Sequence, residues 1–204
     1  MGRIAFQCNR VCGWFSKNPD INVKLVILIP FNDPLREELD SKYTIIEGPE
    51  DNVLDRYMRA ITLYQPDFLV RITGDCVWIP PRVISKHIRD AAKHDADYCS
   101  NVLVRSFPEG YDCEVISLEL MKWLDSNVFT DRDKEHVTTA VRHNLLHNED
   151  FRDEFKIHSI INEMDLSSFK TSIDTRQEYD TALKNLESLK GKKSLAEKFG
   201  SVSA

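Results

Sequence analysis

The sequence predicts an α/β domain with a Rossmann-like, mainly parallel sheet flanked by helices. Short apolar runs alternate with stretches of helical period, which is the pattern of strands separated by crossover helices. One of those runs, FLVRITGDCVWIPP, stops abruptly at Gly74-Asp75, placing a carboxylate at a strand tip. A chain of 204 residues with 42% hydrophobic content also has enough apolar material for one compact core.

The elements follow in order. Residues 4–6, 25–29, 43–46 and 68–73 read as strands. Between the last two, NVLDRYMRAITLY places Val53, Leu54, Tyr57, Met58, Ile61 and Tyr64 on one helical face, with Asp55, Arg56 and Arg59 outside. PRVISKHIRDAAKH opens with Pro81 in its first turn and presents Val83, Ile84, Ile88 and Ala91 as a buried stripe. In the second half, 98–102, 114–117, 155–161 and 169–173 read as strands, and 118–124 and 134–146 as helices. A last helix opens with a capping box, Thr175 to Glu178, and continues through Leu183, Leu186 and Leu189. Residues 1–190 are read as one domain and 191–204, rich in Lys, Ser and Gly, as a flexible tail.

A net charge of -6 with both signs mixed along the chain argues against nucleic acid as a partner. The longest apolar run, 25–29, is far short of the roughly 20 residues a bilayer span requires, so no membrane partner is expected. Five cysteines without CxxC spacing read as reduced thiols in a cytoplasm. His143 and His147 have the i,i+4 spacing of two zinc ligands, but HNLLH lacks a metalloprotease glutamate and reads as a solvated face. Cys76 has no activating partner in sequence and reads as packing, as do Trp78 and Trp123.

In open parallel sheets, ligands bind beyond the carboxyl ends of the strands. Asp75 stands at such an end, after a glycine that permits close approach, and Asp174 stands where FKTSI gives way to the last helix. Magnesium is held by one or two carboxylates plus substrate phosphates, so this pair is a candidate half-shell. The competing reading is a simple Gly-Asp turn and a carboxylate assisting a helix N-terminus. Their meeting in space decides between the two.

The stretches EGPEDNVLDRYMRA and DFLVRITGDCVWI, followed in order by SFPEGYDCEVIS, DRDKEHVT and SFKTSIDTRQEYD, resemble the cytidylyltransferases of the spore-coat polysaccharide type, relatives of CMP-KDO and CMP-sialic acid synthetases. The resemblance implies a nucleotide-diphospho-sugar transferase (GT-A-like) fold, CTP and a sugar as substrates, Mg²⁺ as cofactor, and a homodimer. In that family's reaction a sugar oxygen attacks the α-phosphate of CTP and pyrophosphate leaves. Carried onto this chain, the resemblance implies Asp75 and Asp174 as metal-binding and catalytic residues. It implies Arg71, Thr73, Gly74 and Asp51 at the nucleotide, and Glu109, Asp112, Glu114, Arg132 and His136 on the sugar side. The family opens with a strand and a Gly-Ser-Thr-Arg-Leu-Pro-Gly-Lys phosphate loop. Here RIAFQC is read as that strand, but NRVCGWFSKNPDIN follows, and only Arg10, Gly13 and Lys17 offer substitutes, Arg10 being the catalytic candidate. Two alternatives stand beside the enzyme: a homologue that binds a nucleotide, sugar or protein partner without turnover, and a nucleotide-sugar glycosyltransferase.

Overall fold

The computed structural model of the chain describes residues 2–39 and 43–181. The continuation of the last helix through Leu183, Leu186 and Leu189, and the tail from Gly191, lie outside the described residues.

The chain opens with helix α1 (Arg3–Phe15), then strand β1 (Val26–Pro30), a single turn α2 (Leu35–Glu38) and strand β2 (Thr44–Gly48). Helix α3 (Val53–Tyr64) leads to strand β3 (Phe68–Arg71), and helix α4 (Pro81–His94) to strand β4 (Tyr98–Ser100). Strand β5 (Glu114–Ser117) follows, then helices α5 (Leu118–Asn127), α6 (Asp131–His136), α7 (Thr139–His147) and α8 (Glu149–Glu154), and strand β6 (Ile157–Ser159). The expected α/β architecture is present, with parallel pairing in β1–β2 and β4–β6. Strand β5 runs antiparallel to both β3 and β4, and the strands form two sheets, β1–β2 and β3–β5–β4–β6.

Three sequence expectations are corrected. Residues 4–6 are not a strand, because Ile4, Cys8, Val11 and Phe15 recur at spacings of four, three and four and make one buried stripe of α1. Residues 134–146 are not one helix: Val137 takes φ 57° between α6 and α7, a left-handed conformation that interrupts the α-helical ladder. Residues 169–173 form only an isolated parallel bridge, Glu109 with Lys170, rather than a strand.

Apolar faces meet on both sides of the four-stranded sheet. Leu54 and Ile61 of α3 and Leu120, Met121 and Leu124 of α5 pack with Tyr98 and Ile116 on one side. Val83, Ile84 and Ala91 of α4, with Val11 and Phe15 of α1, pack with Cys99 and Val115 on the other. Cys8 of α1 also packs against Ile27 and Ile29 of β1, so this helix touches the cores of both sheets.

His87 lies within the α4 face, fully buried. Its Nδ1 is 2.7 Å from the Val83 carbonyl, and its Nε2 has no partner among the described residues. Burial holds its pKa down at about 4, from 6.5. The unfolded chain therefore takes up a proton near the ordinary value while the folded chain resists it. Stability from this source is complete above the unfolded pKa and falls as pH drops toward about 4, by about 3 kcal/mol from a shift of that size. Urea unfolding at neutral and acid pH should show this loss in the parent chain and a flatter profile in His87→Leu.

Candidate functional site

Strand β3 ends at Arg71, and the next residues fold into a tight turn in which the Cys76 and Val77 N–H groups donate to the Thr73 and Asp75 carbonyls at 3.1 and 2.9 Å. The glycine before Asp75 has a specific neighbour. A Cβ at Gly74 would stand 2.8 Å from Ile4 Cδ1, so this position admits the close approach of α1.

The segment carrying Asp174 arrives through backbone pairing with the loop after β4. The Glu109 N–H donates to the Phe169 carbonyl at 2.9 Å, and the Thr171 N–H donates back to the Glu109 carbonyl at 2.7 Å. Gly110 makes this approach possible: its φ is 94°, and a Cβ there would meet Ser172 N at 2.3 Å. The Ile173 N–H then donates to the Asp75 carbonyl at 3.0 Å. Asp174 is thus one residue from a backbone bond to Asp75, which brings together the two segments that carry these carboxylates.

Helix α1 closes the same corner. Arg3, Gln7 and Arg10 share one stripe, and each donates to a carbonyl of the tips. Arg3 Nη1 reaches Ile173 at 3.0 Å, Gln7 Nε2 reaches Cys76 at 3.0 Å, and Arg10 Nη1 reaches Val77 at 2.9 Å. A guanidinium carries five N–H donors, so these single bonds leave Arg3 and Arg10 capacity for an anion. Arg10 also lies over the Phe6 ring, which packs edge-on against Trp78.

The acidic residues are not equivalent. Lys170 Nζ lies 2.5 Å from Asp174 and 3.1 Å from Glu178. Ser172 donates toward both Glu109 and Asp174, each at 3.4 Å. Glu178 accepts from the N–H groups of Asp174 and Thr175 at 2.8 and 2.9 Å, realising the capping box, and these bonds with Lys170 hold its pKa down at about 2. Lys170 is raised above its ordinary value, chiefly by its bond to Asp174. Burial pushes the Cys76 thiol up to about 11, which keeps it a neutral packing group.

The remaining sequence candidates fall in several places. Thr73 sits in the tip turn with its hydroxyl 3.3 Å from Cys76 Sγ. Arg71 and Glu114 face each other across β3 and β5 at 2.5 Å, and the Tyr98 hydroxyl donates to the other Glu114 oxygen. Glu114 is only 2% exposed, so its carboxylate is engaged inside the domain. Asp112 is held by a bidentate pair to Arg105, both bonds 3.0 Å. Asp51 is exposed just before α3, and Arg132 and His136 are exposed on α6. Among the described residues no hydrogen bond or ion pair links these three to the strand-tip carboxylates. His143 and His147 form a tilted ring pair, and Trp123 packs on Phe151 and Phe155. Sequence reasoning missed Arg3, Gln7 and Lys170. The first two were legible once the helical spacing of Ile4, Cys8, Val11 and Phe15 is read, since they lie on the neighbouring stripe.

Two carboxylates are a hard-oxygen donor set suited to Mg²⁺ and not to zinc. Among the described residues no group of three or more metal-ligating side chains converges, so substrate oxygens would have to complete the shell. Also among them, no helix is long and apolar enough to cross a membrane.

No protein-family model matches the chain. A spore coat polysaccharide biosynthesis protein of Bacillus subtilis is 24% identical over 141 residues, which is 68% of this chain and 55% of that protein. An uncharacterised protein of Methanocaldococcus jannaschii is 30% identical over 102 residues, 49% of this chain and 40% of that protein. The chain thus spans about half the length of the curated relatives it matches. Among solved structures, a cytidylyltransferase from Leptospira borgpetersenii superposes with TM-score 0.80 at 24% identity, covering 99% of this chain and 85% of that one. A CMP-2-keto-3-deoxy-manno-octonic acid synthetase in complex with CTP superposes with TM-score 0.52 at 10% identity, covering 91% and 88%.

Proposed function

We propose that this chain, which shares the fold of solved cytidylyltransferases, binds CTP with Mg²⁺ at the Asp75–Asp174 corner and transfers CMP to a sugar for surface polysaccharide synthesis. The observation that supports this reading is the Ile173 N–H to Asp75 carbonyl bond, which joins the backbones of the two distant segments that carry Asp75 and Asp174.

In this reading a sugar oxygen attacks the α-phosphorus of CTP and pyrophosphate departs with its electron pair. Mg²⁺, when bound, would offset the charge of the phosphates. Asp75 and Asp174 would hold it, and the spare N–H groups of Arg3 and Arg10 would orient phosphate oxygens. Such a reaction relies on positioning and electrostatics more than on a side-chain nucleophile. One observation favours a second reading, binding without turnover: α1 stands where the resemblance places a strand and phosphate loop.

Titration calorimetry with CTP and Mg²⁺ tests the site. Asp75→Asn is expected to weaken binding at least tenfold while leaving the unfolding midpoint nearly unchanged. Binding that ignores the substitution contradicts the metal assignment. Pyrophosphate release with candidate sugars then separates transfer from binding alone.

A further inference from the structure

Lys170 lies on the segment that delivers Asp174, and its ammonium has two carboxylates within reach, Asp174 at 2.5 Å and Glu178 at 3.1 Å. The two partners are held differently. Glu178 is fixed by the helix it caps, because it accepts from the N–H groups of Asp174 and Thr175. Asp174 is half exposed, and among the described residues the only bond its side chain accepts besides Lys170 is a long one from Ser172 at 3.4 Å. Lys170 is itself half exposed on a flexible four-carbon stem. The ammonium therefore occupies the carboxylate that the proposed function assigns to a divalent cation, with a second anchored carboxylate beside it.

We propose that Lys170 is a resident cation at Asp174 which a divalent metal must displace toward Glu178, so that this lysine sets the metal affinity of the strand-tip site. The inference rests on the reading of Asp75 and Asp174 as metal carriers. The single ammonium charge is not equivalent to one Mg²⁺ here, because an ammonium donates hydrogen bonds and takes no phosphate oxygen as a ligand, whereas the metal binds both carboxylate and phosphate. Lysine on Asp174 keeps the corner electrostatically satisfied without substrate.

An exposed ion pair is weak and screened by solvent, so the lysine's competition for Asp174 is expected to be roughly fivefold. Calorimetric titration of the full chain with Mn²⁺ alone, as a probe for Mg²⁺ and without nucleotide, reads this directly. Lys170→Met is expected to bind Mn²⁺ about five times more tightly than the parent chain. Lys170→Arg, which keeps the charge, should stay within about twofold of the parent, and Glu178→Gln should weaken Mn²⁺ binding by removing the lysine's second seat. Equal affinity in the parent and Lys170→Met, with binding that Asp75→Asn removes, overturns the gate and leaves the metal site standing. Absence of Mn²⁺ binding in the parent and Lys170→Met alike overturns the metal reading and the gate with it.

Discussion

Glu114→Ala is expected to be among the most destabilising single substitutions in this chain, by about 3–5 kcal/mol. The carboxylate is buried between β3 and β5, where Arg71 and the Tyr98 hydroxyl each take one of its oxygens. Removing it leaves the Arg71 guanidinium in a low-dielectric setting, with its Nε already lacking a partner among the described residues. Tyr57, half-buried beside the same group, would face an uncompensated cation. The penalty comes from the stranded charge, not from the lost bond. A paired replacement, Arg71→Met with Glu114→Leu, should therefore recover most of it. Urea denaturation of the single and double variants measures both quantities, and a loss below about 1 kcal/mol for Glu114→Ala contradicts the buried-network account.

Gly110→Ala carries the second large effect. Its φ of 94° is strained for any side chain, and the added methyl would collide with the backbone of Ser172 at 2.3 Å, which no rotamer change relieves. The Glu109–Thr171 pairing must loosen, and with it the Ile173 bond to Asp75. A stability loss of about 2–4 kcal/mol is expected, from positive-φ strain together with overpacking. A drop of at least tenfold in Mg²⁺-dependent CTP binding should accompany it. Gly13→Ala is the control: nothing lies within 4 Å of a Cβ there, and within α1 the exchange should stabilise by up to about 1 kcal/mol. If Gly110→Ala binds CTP like the parent, the loop does not position Asp174.

The α/β pattern was legible because periodicity reports burial, and burial is what the strands and the helices α3 and α4 are built on. The first element was misread because Ile-Ala-Phe looks like a strand over three residues, while its helical stripe emerges only over the thirteen of α1. Val137 broke a helix that its neighbours' pattern favoured, and no local glycine or proline announced the break. At the site, Asp75 and Asp174 were nameable from sequence, but the approach of their segments depends on Gly110 and on backbone pairing between distant parts of the chain. The Arg71–Glu114 pair shows the reverse limit. Sequence places each charge on a strand and cannot say that the register Arg71 opposite Glu114 turns both inward on one another.

The division of the strands into two sheets has a dynamic consequence. Backbone hydrogen bonds join β1 to β2 and join β3 through β6, whereas side-chain packing by α1 and α3 joins the two groups. A ladder resists sliding through directional bonds, while packed side chains permit small shear. Native-state amide exchange should therefore resolve two protection classes, with β1 and β2 opening at lower free energy than β4 and β5. Since α1 packs on both groups and donates to the carbonyls of Ile173, Cys76 and Val77, motion between the sheets is expected to reach the backbone beside Asp75 and Asp174 through this helix.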